Sequence, residues 1–140
     1  MKIINYLISA LLFIICPAIL ANCPAPETVR YTCDNGHCSW APYYGWYEGS
    51  NPDNYIPKEH AKAASFTAAR WVPYSGPLGG ATTCYYVDEY GNAITLVQQS
   101  KYGQVPKPLK GPWKIDPTNA AQEICTASAE TCYFDYGETY

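Results

Sequence analysis

From Asn22 to Tyr140 the chain holds only 14 Leu, Ile, Val and Phe residues together and no Met, against 13 Tyr and four Trp. So little aliphatic surface leaves a chain unfolded when its charge is also high. Here eight basic and twelve acidic residues leave a net charge of only −4 over that span. Each Tyr or Trp ring can bury a large apolar area. The composition therefore predicts a core built on aromatic rings, and such a core needs another source of stability.

Cysteine supplies it. Residues 1–21 read as a secretory signal peptide: Lys2 opens it, Leu7 to Ile15 forms the apolar stretch, Pro17 breaks it, and Ala21 suits the last position before cleavage. A run this short and proline-broken favours a cleaved leader over an uncleaved anchor, so no stable membrane span is expected afterwards. Leu20-Ala21-Asn22-Cys23 looks like a lipobox, but Asn22 stands where a small residue is wanted. Of seven cysteines, Cys16 leaves with the leader. Cys23, Cys33, Cys38, Cys84, Cys125 and Cys132 remain. An even number in an exported chain implies three disulfides, with about 15 possible pairings, whereas a lipid on Cys23 would strand an odd thiol. Residues 22–140 suit one domain in a secreted or periplasmic setting.

The most legible element is a hairpin. Thr28 to Cys33 and Cys38 to Tyr43 flank Asp34-Asn35-Gly36-His37, and Asn-Gly tolerates the positive φ of a type I′ turn at both centres. That register faces Cys33 with Cys38, at a Cα separation of about 4.5 Å, close enough for a disulfide. Tyr31 then faces Trp40 as an aromatic cross-strand pair. The pairing of Cys23, Cys84, Cys125 and Cys132 stays open.

Further strands are expected within Gly45 to Gly49, at Ser65 to Val72, Thr82 to Val87, Ala93 to Gln98, Glu123 to Thr126 and Thr131 to Phe134. Asp88-Glu89-Tyr90-Gly91-Asn92 is a hairpin-length loop. Pro57 to Ala64 is the one segment with helical character, since proline suits a first turn and Lys58, Glu59 and Lys62 give a polar side. Lys101 to Lys114 carries four lysines, three prolines and no acid, and is expected as a solvated, proline-stiffened loop rather than an anion site. The fold class is all-β: a small, mostly antiparallel, disulfide-stapled domain with one short helix.

The order Cys23-Pro24 after the leader, Phe66-x-x-Ala69-x-Trp71, Cys84-x-Tyr86 before Gly91, and Cys132-x-Phe134 resembles a family of small exported bacterial proteins of unknown function. The resemblance spans most of residues 22–140. It implies an envelope or secreted protein, and brings no activity, cofactor or catalytic residue with it.

Chemistry finds few footholds. No G-x-S-x-G elbow exists, and Ser75-Gly76-Pro77-Leu78-Gly79-Gly80 lacks the Gly-Lys-Ser/Thr of a phosphate loop. His37 lies in the hairpin turn and His60 in the expected helix. Cys33, Cys38, His37 and Asp34 could be written as a zinc site, but an oxidising compartment favours the disulfide. Glu48, Asn51, Asp53 and Asn54 lack the spacing of a calcium loop. No metal or other cofactor is expected. Asp88 with Glu89 and Asp135 with Glu138 are the carboxylate pairs to weigh for glycoside hydrolysis, yet neighbours on a strand point to opposite faces. Mild acidity argues against nucleic acid.

What remains is aromatic density. Tyr43, Tyr44, Trp46 and Tyr47 crowd into five positions, and exposed rings stack on sugars or anchor proteins. With so few aliphatics most rings must be core, Trp46 and Trp71 foremost. If Trp46 points inward, Tyr47 points outward. The sequence thus favours an exported, non-enzymatic binding module, taking a glycan or an envelope protein through aromatic side chains. A small hydrolase of envelope polymers, or a structural component with no ligand, are the alternatives.

Overall fold

A computed structural model of the chain describes residues 20–40, 46–49, 57, 61–73, 81–99, 106–109 and 111–136. Eleven strands are present among them: β1 (Leu20–Ala21), β2 (Thr32–Asp34), β3 (His37–Ser39), β4 (Trp46–Glu48), β5 (Ala63–Val72), β6 (Ala81–Asp88), β7 (Ala93–Gln99), β8 (Pro106–Pro108), β9 (Trp113–Asp116), β10 (Asn119–Cys125) and β11 (Phe134–Tyr136). A six-stranded sheet in the order β4-β7-β6-β5-β10-β9 forms the body. A three-stranded sheet β1-β11-β8 and the hairpin β2-β3 complete it. Every strand pair is antiparallel. The protein is a mostly antiparallel β domain with three disulfides.

Burial in β6 alternates strictly along its eight residues, with Thr82, Cys84, Tyr86 and Asp88 inside and their neighbours half-exposed. That period of two is what a strand with one covered face requires. Ile94 and Leu96 of β7 continue the inner face opposite Tyr86 and Cys84, and Ala69 of β5 and Cys125 of β10 extend it from Cys84 towards Trp113 of β9. Aromatic rings do much of the filling. Trp46 meets the fully buried Phe134 edge-on at 6.2 Å, Phe66 meets Tyr86 at 5.6 Å, and Trp113 donates its indole N–H to the Tyr133 carbonyl at 2.7 Å.

The disulfides pin separate parts to this core. Cys23–Cys84 ties the N-terminal segment to the middle of β6, and the Tyr86 hydroxyl donates to the Pro24 carbonyl at 2.7 Å beside it. Cys125–Cys132 closes the turn between β10 and β11. Cys33–Cys38 bridges β2 and β3 with Cα atoms 4.0 Å apart. Asn35 and Gly36 take φ values of 49° and 83°, the left-handed pair of a type I′ turn, and the Tyr31 and Trp40 rings lie 5.4 Å apart just beyond.

Three expectations are corrected. The segment 57–64 is not helical where it is described: Lys62 bridges Arg30, and Ala63 opens β5. Tyr31 N–H donates to the Ala61 carbonyl and Ala63 N–H to Val29, a ladder of extended backbone that leaves no groups for i to i−4 bonds. Lys58, Glu59 and His60 lie outside the described residues. Among the described residues the helical turn is a 3-10 turn at Pro26–Thr28, which shares only Thr28 with the expected strand Thr28 to Cys33. Between Lys101 and Lys114, residues 106–108 and 113–114 belong to β8 and β9 rather than to a loop. Thr131 ends a turn, Cys132 and Tyr133 are irregular, and only Phe134 of that expected strand is in β11.

Candidate binding face

Alternation divides each long strand between the covered inner face and an outer one. Direct cross-strand partners share a face, so the pairing Tyr47–Val97–Thr83–Arg70–Ile124–Lys114 traces one row across all six strands of the outer side. A parallel row runs Thr95–Tyr85–Ala68. With strands about 4.8 Å apart, Tyr47 and Arg70 stand about 14 Å from one another along the row. Tyr47 is 56% exposed, whereas its neighbour Trp46 is 8% exposed and packs on Phe134. Trp46 is a core residue, and Tyr47 is the ring turned outward. Tyr43 and Tyr44 lie outside the described residues.

Two devices hold Tyr47 in place. Register pairs it with Val97, and the Gly49 N–H donates to the Thr95 carbonyl at 2.7 Å. A Cβ at Gly49 would come within 2.6 Å of the Thr95 side chain, so only glycine lets β4 lie this close to β7. The other described large apolar groups that are exposed are placed differently: Tyr90 in the β6–β7 turn, Ile115 on the edge strand β9, and Tyr133 ahead of β11.

Arg70 is the second feature of this face, and nothing in its local sequence marks it. Its Nε lies 2.8 Å from Asp116 Oδ2, and its guanidinium sits 5.5 Å over the centroid of Tyr85, a cation–π distance. The side chain stays 35% exposed while that of Asp116 is 1% exposed. Asp116 accepts from the Thr118 hydroxyl at 2.6 Å and the Thr118 N–H at 2.8 Å. Those two bonds first, and Arg70 after them, hold its carboxyl below the usual carboxylate range. Arg70 is thereby fixed from one edge by an ionised acid and from one flat side by a ring. The strand containing Arg70 was legible, but the bulges between Ala63 and Ser65 and between Phe66 and Ala68 set its partners, and no sequence signal placed it beside Tyr85.

Of the carboxylate pairs weighed for hydrolysis, Asp88 with Glu89 is not assembled. Asp88 is buried on the inner face, where its Oδ1 accepts the N–H groups of Tyr90 and Asn92 at 2.9 and 2.8 Å. Glu89 is exposed in the turn that Asp88 caps. Asp116, the other buried carboxylate among the described residues, belongs to the outer side and a different turn. Asp135 pairs in register with Lys107 and Leu20, and Glu138 lies outside the described residues, as do Asn51, Asp53 and Asn54. Glu48 points to the inner side, its carboxylate 3.4 Å from the Trp40 N–H. His37 is exposed in the hairpin. Among the described residues no group of three or more His, Cys, Asp or Glu is placed to hold a metal.

Compared with protein-family models, curated proteins and solved structures, the chain matches none. Of the residues quoted for the resemblance noted in the sequence, Cys23, Pro24, Ala69, Cys84, Tyr86, Cys132 and Phe134 are buried, Phe66 and Trp71 are half-buried, and Gly91 is exposed in a turn.

Proposed function

We propose that this chain is an exported, non-enzymatic binding module whose outer sheet face recognises a glycan. The observation that carries this is the outward Tyr47 ring on the same strand-spanning face as Tyr85 and the fixed Arg70. A flat ring offers its face to a sugar ring, hydroxyl-bearing Thr83 and Thr95 flank it on the next strands, and a rigid sheet positions all of them without a moving loop. Export is supported by the leader-like N-terminus and by three disulfides, which persist in oxidising compartments. Among the described residues no helix is long and apolar enough to cross a membrane. Cys23 bonded to Cys84 is not available for a lipid.

The test is a glycan array on the oxidised protein beside Tyr47→Ala, with both checked for folding by circular dichroism. Specific binding that falls at least tenfold in a folded Tyr47→Ala is expected. Absence of glycan binding, or binding indifferent to Tyr47→Ala, overturns the proposal and leaves a protein partner or a purely structural role.

A further inference from the structure

Resting on that glycan-binding face, we infer that the ligand is an acidic polysaccharide whose uronate carboxylates are received by Arg70. The guanidinium carries five N–H donors in a planar fork. Asp116 takes the Nε edge and Tyr85 covers one flat side. Among the described residues nothing bonds the two terminal amino groups, and the side chain is 35% exposed. Those groups are what a carboxylate engages in bidentate fashion, with bonds roughly twice as strong as neutral ones. Pre-fixing by Asp116 and Tyr85 removes much of the rotamer freedom that a surface arginine would lose on binding.

The local charge agrees. Lys114 is exposed on the same face, two strands from Arg70 through Ile124, about 10 Å away. Asp116 is the one acid on this face among the described strand residues, and it is buried behind Arg70. The remaining partners in the row, Val97, Thr83 and Ile124, are uncharged. A net positive patch on a chain of overall charge −3 is complementary to an anionic polymer, and a neutral sugar would leave the Arg70 fork unused. The fork receives a carboxylate bidentately, as it also receives a tetrahedral oxyanion, and the sulfated probe separates the two.

Calorimetry on the full oxidised chain, with oligogalacturonate, a neutral galactan oligosaccharide and a sulfated dextran as three probes, tests this. The expected result is at least tenfold tighter binding of oligogalacturonate than of either other probe, weakening as salt rises. Arg70→Lys keeps a charge against Asp116 but has no fork. It is expected to lose at least tenfold for oligogalacturonate, and Lys114→Gln is expected to flatten the salt dependence. Tyr47-dependent binding of neutral and acidic probes alike overturns the acidic assignment and spares the glycan-binding face. Sulfated dextran bound as tightly as oligogalacturonate, or Arg70→Lys without effect, also overturns the assignment. No binding of any of the three overturns both.

Discussion

Removing the disulfides in pairs should destabilise the domain in the order set by loop length and burial. Cys23–Cys84 closes a span of 61 residues, Cys125–Cys132 one of 7, and Cys33–Cys38 one of 5. The loop-entropy relation gives about 4, 2.5 and 2 kcal/mol for these three. Packing widens the gap, because Cys23 and Cys84 are 1% and 0% exposed whereas Cys33 and Cys38 are exposed. Replacing two buried sulfurs by hydrogen adds about 2 kcal/mol. Cys23→Ala with Cys84→Ala should therefore cost about 6 kcal/mol, and Cys33→Ala with Cys38→Ala about 2. At about 4 °C per kcal/mol for a domain of this length, the first melts about 24 °C below the parent and the second about 8 °C below. Thermal unfolding followed by circular dichroism, with urea titration to check that m is unchanged, reads both. Two double variants melting within about 5 °C of each other would refute the reasoning, since neither loop length nor burial would then govern stability.

Three further outcomes follow from local geometry. Gly49→Ala should cost about 1–3 kcal/mol by driving a methyl into Thr95, and should weaken Tyr47-dependent binding because β4 lifts from β7. Tyr86→Phe leaves the buried Pro24 carbonyl without its donor and should cost about 1–3 kcal/mol by denaturant titration. Burial first, and Glu130 second, push the Tyr86 phenol up. Because the folded value lies above the unfolded one, its contribution is whole below about pH 10 and fades as pH rises beyond that, so the gap between parent and Tyr86→Phe should narrow only in alkali. The Asp116 carboxyl shifts the other way: its contribution is present above the unfolded value of about 4 and is lost as pH falls through the lower folded one. Thr118→Val should therefore destabilise at pH 7, and that difference should shrink in acid unfolding below about pH 4.

How far these features were legible in the sequence depends on how local their cause is. The hairpin at Cys33–Cys38 was readable because Asn35-Gly36 fixes turn type and register within four residues. The β6–β7 hairpin was readable for a similar reason, and Asp88 caps it through bonds no more than four residues long. The strand at 63–64 was not. Its partners are Val29 to Tyr31, some thirty residues earlier, and a pattern of Lys58, Glu59 and Lys62 suited to a helix says nothing about that pairing. The inward Trp46 and outward Tyr47 followed from alternation once a strand was assumed. Arg70 over Tyr85 did not follow, because two bulges in β5 decide which residues meet.

The same alternation explains why the residues of the resemblance are silent about function. Cys84, Tyr86, Ala69 and Phe134 all lie in the core, where volume and shape are constrained by neighbours from several strands. They specify that the sheet forms and how it is covered. Tyr47, Tyr85, Arg70 and Lys114 occupy the opposite parity of those strands, where the fold demands little beyond solubility. Two chains could share every inner position and differ at each outer one, keeping the domain while changing the chemistry of its outer face. Arg70 shows what such a position costs when it is kept. Placing a guanidinium against a buried carboxylate is an expensive way to stabilise a sheet, since an apolar pair of similar volume commonly does as well or better. Among the described residues nothing bonds the terminal donors of Arg70, so the ion pair and the Tyr85 contact leave part of its fork unused by the sheet.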